Sequence, residues 1–141
     1  MDRGDVVDAL AQLSWHVQSR IGDAAAAAGV SLSQLRLLGI LRDREPEMLE
    51  LARFLQLDKS SVSGLVGRAE IRGLVERMPL PSDGRRVAVR LTASGRALAA
   101  GLESAVEEQL AALIDAMSDR DQVELVQLVT ENVPTLPPSR R

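Results

Sequence analysis

The sequence predicts a mainly α-helical protein carrying one small β-hairpin. Three observations lead there. Along most of the 141 residues, apolar side chains recur at three- and four-residue spacing, the stripe of an amphipathic helix. Between residues 73 and 91 the period changes to two, the alternation of a half-buried strand. Glycine, proline and capping residues stand where each periodic run begins or ends.

Residues 5–28 place Val6, Val7, Leu10, Leu13, Val17, Ile21, Ala24 and Ala28 on one stripe, with Gly29 as the C-terminal stop. Ser31 N-caps a second helix carrying Leu35, Leu38 and Leu41. It must stop before Pro46, because the residue ahead of a proline avoids helical angles. Glu47–Gln56 forms a short third helix with Met48, Leu51, Ala52 and Leu55 on one face. Asp58 caps a fourth that runs to Arg72 with Val62, Leu65, Val66 and Ala69 inward, and Gly73 ends it. Val87, Val89 and Leu91 then alternate with Ala88 and Arg90 as a strand, paired with Val75–Met78. "PLPSDG" between the two has the proline and glycine chemistry of a hairpin loop. Thr92 caps a long helix through Met117, striped by Leu98, Leu102, Val106, Leu110 and Leu113. A last helix, Asp119–Asn132, carries Val123, Val126 and Val129, and the tail "PTLPPSRR" is expected to fray.

Length and composition suit a single domain over 1–141, with 45% hydrophobic and 26% charged residues. No cysteine is present, which removes disulfides, thiolate chemistry and Cys-containing metal sites. The acidic N-terminus is unlike a signal peptide, and no apolar run reaches the ~20 residues of a membrane span, so a cytoplasmic protein without a membrane partner is expected. The net charge of −3 hides a pattern: residues 1–58 net −3, 59–90 net +4 and 91–141 net −4. A basic middle between acidic ends points to a local anionic partner.

Two short helices joined by a tight turn and followed by a hairpin describe a winged helix-turn-helix. Ala52 is small where the helices cross, Leu57 is expected to plug the turn, and Val62 and Leu65 fasten the second helix. Lys59, Ser60, Ser61, Ser63 and Arg68 are left facing out, and short hydroxyl side chains at a helix start suit close approach to base edges and phosphates. The plainer reading makes Ser60 and Ser61 ordinary first-turn residues. Gly64 and Gly67 each cost about 1 kcal/mol relative to alanine inside a helix. Either they let the helix settle deeper into a groove, or they are tolerated weak points. Arg85 and Arg86, just past the hairpin turn, can reach a narrow minor groove, where negative potential is strongest; the competing reading is a solvated turn.

The stretch "LARFLQLDKSSVSGLVGRAEIRGLVERMPLPSDGRRVAVRLTASGRAL" resembles the DNA-binding core of the MarR family of bacterial transcription factors. The likeness is carried by "LVER" entering the first wing strand, by the Asp-x-Arg of Asp83 and Arg85, and by "LTASG" opening the next helix. It implies a homodimer, joined through helices 5–28 and 92–132, with a winged lobe over 31–91 reading the pseudo-palindromic operator of double-stranded DNA, most often as a repressor. It also implies DNA contacts from Lys59, Ser60, Ser61, Ser63 and Arg68, with Arg85 in the minor groove, Asp83 bracing it and Arg86 beside it. Gln56, where a turn glycine is common, Ile71, where a charge is usual, and Gly67, where an acid is frequent, depart from the family pattern. Release by a small-molecule effector, bound near Trp15, His16 and Arg36, is a further implication, although a lone large aromatic such as Trp15 is most often core and His16 solvated. An enzyme is not expected. One histidine, no cysteine, no GxSxG elbow and no glycine-rich phosphate loop leave no nucleophile–base pair and no metal cluster, and no cofactor is called for. The competing function is a winged helix used only for protein contacts.

Overall fold

The computed structural model describes residues 1–136, and the Asp83 side chain lies outside what is described. Six helices and one antiparallel hairpin follow the order α1 (Arg3–Ala27), α2 (Leu32–Leu41), α3 (Met48–Leu55), α4 (Lys59–Ile71), β1 (Val75–Leu80), β2 (Asp83–Leu91), α5 (Ala93–Ala116) and α6 (Asp119–Asn132). Each expected cap is in place. Ser31 Oγ accepts the Gln34 N–H at 3.1 Å, Asp58 Oδ1 that of Ser61 at 2.7 Å and Thr92 Oγ1 that of Gly95 at 3.0 Å, satisfying first-turn amides that have no partner within their helix.

The core gathers α2, α3, α4, the hairpin and the start of α5. Leu37, Leu38, Leu51, Val62, Val66, Val89 and Leu91 are its most enclosed side chains. Among the described residues Gln34 is the one buried polar side chain; its Nε2 donates to the Leu65 carbonyl at 3.1 Å and so ties α2 to α4. The hairpin docks on α5 at a close approach, where the Leu74 carbonyl accepts the Thr92 N–H at 3.0 Å and leaves no room for a side chain at Gly95.

The hairpin and the turn differ from expectation. Both strands run on into "PLPSDG", leaving only Pro81 and Ser82 as the turn. Pro79 pairs with Val87 but Leu80 pairs with Asp83, so the register shifts and Gly84–Arg86 form a bulge in β2. The proline, which has no N–H to give the ladder, stands at the register shift. Leu57 does not plug the helix-turn-helix turn: its side chain is 38% exposed, and the turn closes through backbone, with the Leu57 N–H on the Ala52 carbonyl at 3.0 Å. Gln56 supplies the left-handed step at φ 54° and ψ 42° that a glycine adopts at less cost.

The outer helices behave differently from the lobe. Only Ala24 and Ala25 of α1 are buried, while Val6, Val7, Leu10 and Leu13 stand exposed, and α6 buries no residue at all. The tail after α6 is not wholly frayed, because Leu136 is buried and its carbonyl accepts the Arg44 Nε–H at 2.9 Å. Residues 137–141 of that tail lie outside the described range. No single described helix is long and apolar enough to cross a membrane; α1 and α2, which pass that test only together, are bent by 92°.

Candidate nucleic-acid interface

α4 is presented by its cap and its neighbours. Asp58 receives the Ser61 backbone N–H, and this bond, with the hydroxyls of Ser61 and Ser60 after it, holds the carboxyl below the ordinary aspartate range. Ser60 and Ser61 therefore do serve the helix start, as the plainer reading has it, and both remain exposed alongside Lys59 and Arg68. Ser63 is half-buried, one turn further on, and faces a cleft of about 590 Å³ between α4 and the hairpin. Lys59, Ser63, Arg77, Arg85 and Arg86 line it, with Glu47, Met48, Leu49, Val62 and Val87 as its other walls. Of the eight residues expected on nucleic acid, Lys59, Ser63, Arg85 and Arg86 thus border one cleft, and Ser60, Ser61 and Arg68 stand exposed on α4. Bracing of Arg85 by the Asp83 carboxylate falls on a side chain outside the described set.

Arg77 and Glu47 were not singled out in the sequence. Arg77 Nε donates to Glu70 Oε1 at 2.8 Å and its Nη2 to the Ser63 carbonyl at 3.1 Å, so one guanidinium spans two turns of α4 and fixes the hairpin against it. A signal existed: on a period-two strand Arg77 shares the face of buried Val75, and a cation on an inward face needs a partner. Glu47, far from Arg86 in the chain, gave no such signal. The ion pairs Arg77–Glu70, Arg86–Glu47 and Arg90–Glu76 also show that the positive charge of residues 59–90 is partly spent within the fold.

The two glycines of α4 have different surroundings. A Cβ at Gly64 falls 3.2 Å from the Arg68 guanidinium, which folds back over it, whereas at Gly67 it meets only Arg77 Nη2 at 3.8 Å. Neither contact forbids alanine. Ile71 is 88% exposed at the end of the helix.

Of the three expected effector residues, Arg36 lines a hollow that Trp15 and His16 do not line. Arg36 lies over the Phe54 ring, 5.7 Å from its centroid, in a hollow of about 520 Å³ lined also by Glu50, Arg53, Gln56, Pro134 and Leu136. Trp15, 72% exposed and so not core, and His16 project from α1 elsewhere. Among the described residues no three histidine or carboxylate side chains are grouped to hold a metal ion.

Residues 28–86 match the sequence profile of the MarR family. The HTH-type transcriptional repressor NicR of Pseudomonas putida is 41% identical over 66 residues, which are 46% of this chain and 42% of that repressor. The chain therefore aligns with less than half the length of this relative. Over nearly the whole chain the fold is similar to that of the transcriptional regulator PA4135, at 26% identity, a TM-score of 0.79 and 93% of this chain against 97% of the other. It is also similar to CouR from Rhodococcus jostii RHA1 bound to p-coumaroyl-CoA, at 24% identity, a TM-score of 0.78 and 94% against 95%.

Proposed function

We propose that this chain, whose residues 28–86 match the MarR family, is a DNA-binding transcription regulator that represses as a homodimer on a pseudo-palindromic operator. One observation carries the reading: the capped first turns of α4 and the bulge of β2 bring Lys59, Ser63 and Arg85 around one cleft, with Ser60, Ser61 and Arg68 exposed on the same helix. Hydroxyls and an arginine on a protruding helix suit base edges and phosphates in a major groove. Arg85, carried on the bulge of β2 beside it, suits the negative potential of a minor groove.

Repression is supported by the likeness to NicR. The homodimer is supported by the apolar residues of α1 and α6 that this chain leaves exposed, among them Leu10, Val123, Val126 and Val129. A second copy related by two-fold symmetry can bury them. An effector is supported by the ligand named with CouR, and in this chain the hollow at Arg36 and Phe54, with Arg53 on its rim, offers cationic and aromatic surface to an organic anion.

Footprinting on genomic fragments tests the reading. Two protected half-sites about one helical turn, ~34–36 Å, apart are expected of a two-fold reader. Protection of one short asymmetric site, or of none, sinks it and favours a winged helix used for protein contacts.

A further inference from the structure

Beyond the DNA-binding reading, and resting on it, stands the link between Arg86 and Glu47. The bulge at Gly84–Arg86 lies at the register shift between Pro79 and Leu80, and a bulge re-aims the side chains it carries. Arg86 reaches outside the hairpin: its Nε donates to Glu47 Oε2 at 3.0 Å and its Nη2 to Oε1, a fork on both carboxylate oxygens. Glu47 is itself anchored. Its backbone bridges Ala88 in antiparallel fashion, the neighbouring Pro46 carbonyl accepts the Val89 N–H at 2.9 Å, and its own N–H donates to Glu50 Oε1 at 3.2 Å. The Glu47 side chain is 24% exposed against 53% for Arg86, so the acid is the post and the arginine the arm. By charge alone, an acid lining a cleft meant for phosphates opposes binding.

We propose that Arg86 is a positioning residue: held by Glu47, it aims the bulged wing and Arg85 at the groove beside α4, and it is not itself a phosphate contact. This departs from the family-derived expectation that Arg86 touches DNA. It also explains an acid in that place.

The test uses E47Q, R86A, the double variant and the charge-swapped E47R/R86E in the full chain. Amide hydrogen exchange at Val87–Val89 is followed without DNA, and binding to a mixed-sequence duplex is followed by anisotropy between about 50 and 200 mM salt. E47Q and R86A should each speed wing exchange and weaken binding about two- to fivefold. The double variant should be no weaker than either single one, the swapped pair should recover most of the loss, and the salt slope of R86A should match the wild type. The proposal is overturned if R86A lowers the slope by about 1 per subunit while E47Q tightens binding, since Arg86 is then a phosphate contact. Unchanged wing exchange in both single variants overturns it too. If the wild-type chain binds no duplex, the DNA-binding reading falls, and the exchange measurement still decides whether the link holds the wing.

Discussion

Gly95→Ala should destabilise the protein, while Gly101→Ala on the same helix should stabilise it. A Cβ at Gly95 falls 1.9 Å from the Leu74 carbonyl oxygen, 2.9 Å from its carbon and 3.2 Å from Leu91 Cδ2. That is roughly 1.5 Å short of an ordinary contact, and the obstacle is backbone, which cannot swing aside as a side chain can. α5 must move off the hairpin. The displacement also pulls apart the 3.0 Å bond from the Thr92 N–H to the same carbonyl. Overpacking costs about 1–3 kcal/mol and a lost hydrogen bond about 1, against a helix-propensity gain of at most about 1. The net for Gly95→Ala is a loss of about 1–3 kcal/mol. At Gly101 nothing lies within 4 Å and the residue is exposed, leaving only the propensity gain of about 0.5–1 kcal/mol. Urea unfolding at fixed protein concentration reads both, with an unchanged m-value as the check that the unfolding transition is the same. If the Gly95→Ala midpoint equals or exceeds that of Gly101→Ala, the close approach between α5 and Leu74 is wrong, and with it the seating of the wing on the long helix.

Three further outcomes follow from the site and the outer helices. Arg85→Ala should weaken binding to operator and unrelated DNA by similar factors and lower the salt slope by about 1 per subunit; Ser63→Ala should shift preference at particular bases with the slope intact, and identical behaviour of the two variants contradicts the division of roles. Because its carboxylate is held below the ordinary value, Asp58 contributes stability above the unfolded pKa of 3.8 that is lost as pH falls through the lower folded value. Urea midpoints of wild type relative to Asp58→Asn should therefore stay level above about pH 5 and decline in acid, and a difference that grows as the pH falls refutes the cap. Leu10→Asp with Val126→Asp should convert a dimer into monomers in sedimentation at micromolar concentration, since each charge falls on an exposed apolar stripe; a wild type that is already a folded monomer ends the dimer reading.

Much of the architecture was legible because its signals are local. A cap needs one side chain and an amide three residues on, so Ser31, Asp58 and Thr92 announced three helix starts that the structure keeps. The change of period from 3.6 to 2 after Gly73 located the hairpin for the same reason. The limits of the strands were less legible. Proline and glycine in "PLPSDG" promise a loop, yet extended backbone tolerates both at a strand edge, and the bulge at Gly84–Arg86 arises only because Leu80 finds its partner at Asp83. Leu57 misled similarly, since an apolar residue in a turn reads as a plug until the backbone bond from Leu57 to Ala52 is seen to close the turn without it.

By itself the sequence determined the order of helices, their caps, the inward faces of the lobe and the outward set of Lys59, Ser60, Ser61 and Arg68, because periodicity assigns a side to each residue of a helix. Only the tertiary structure decided which charges meet. Arg86 lies 39 residues from Glu47 and Arg77 lies 14 from the Ser63 carbonyl. No pattern along the chain ranks such pairs, since a long flexible cation can reach many acids and the packing of hairpin against helix selects one. The same holds for Trp15, which by type belongs in a core and by position stands in solvent in this chain. Burial is a property of what the rest of the fold brings near, and within this chain it encloses only Ala24 and Ala25 of α1 and no residue of α6.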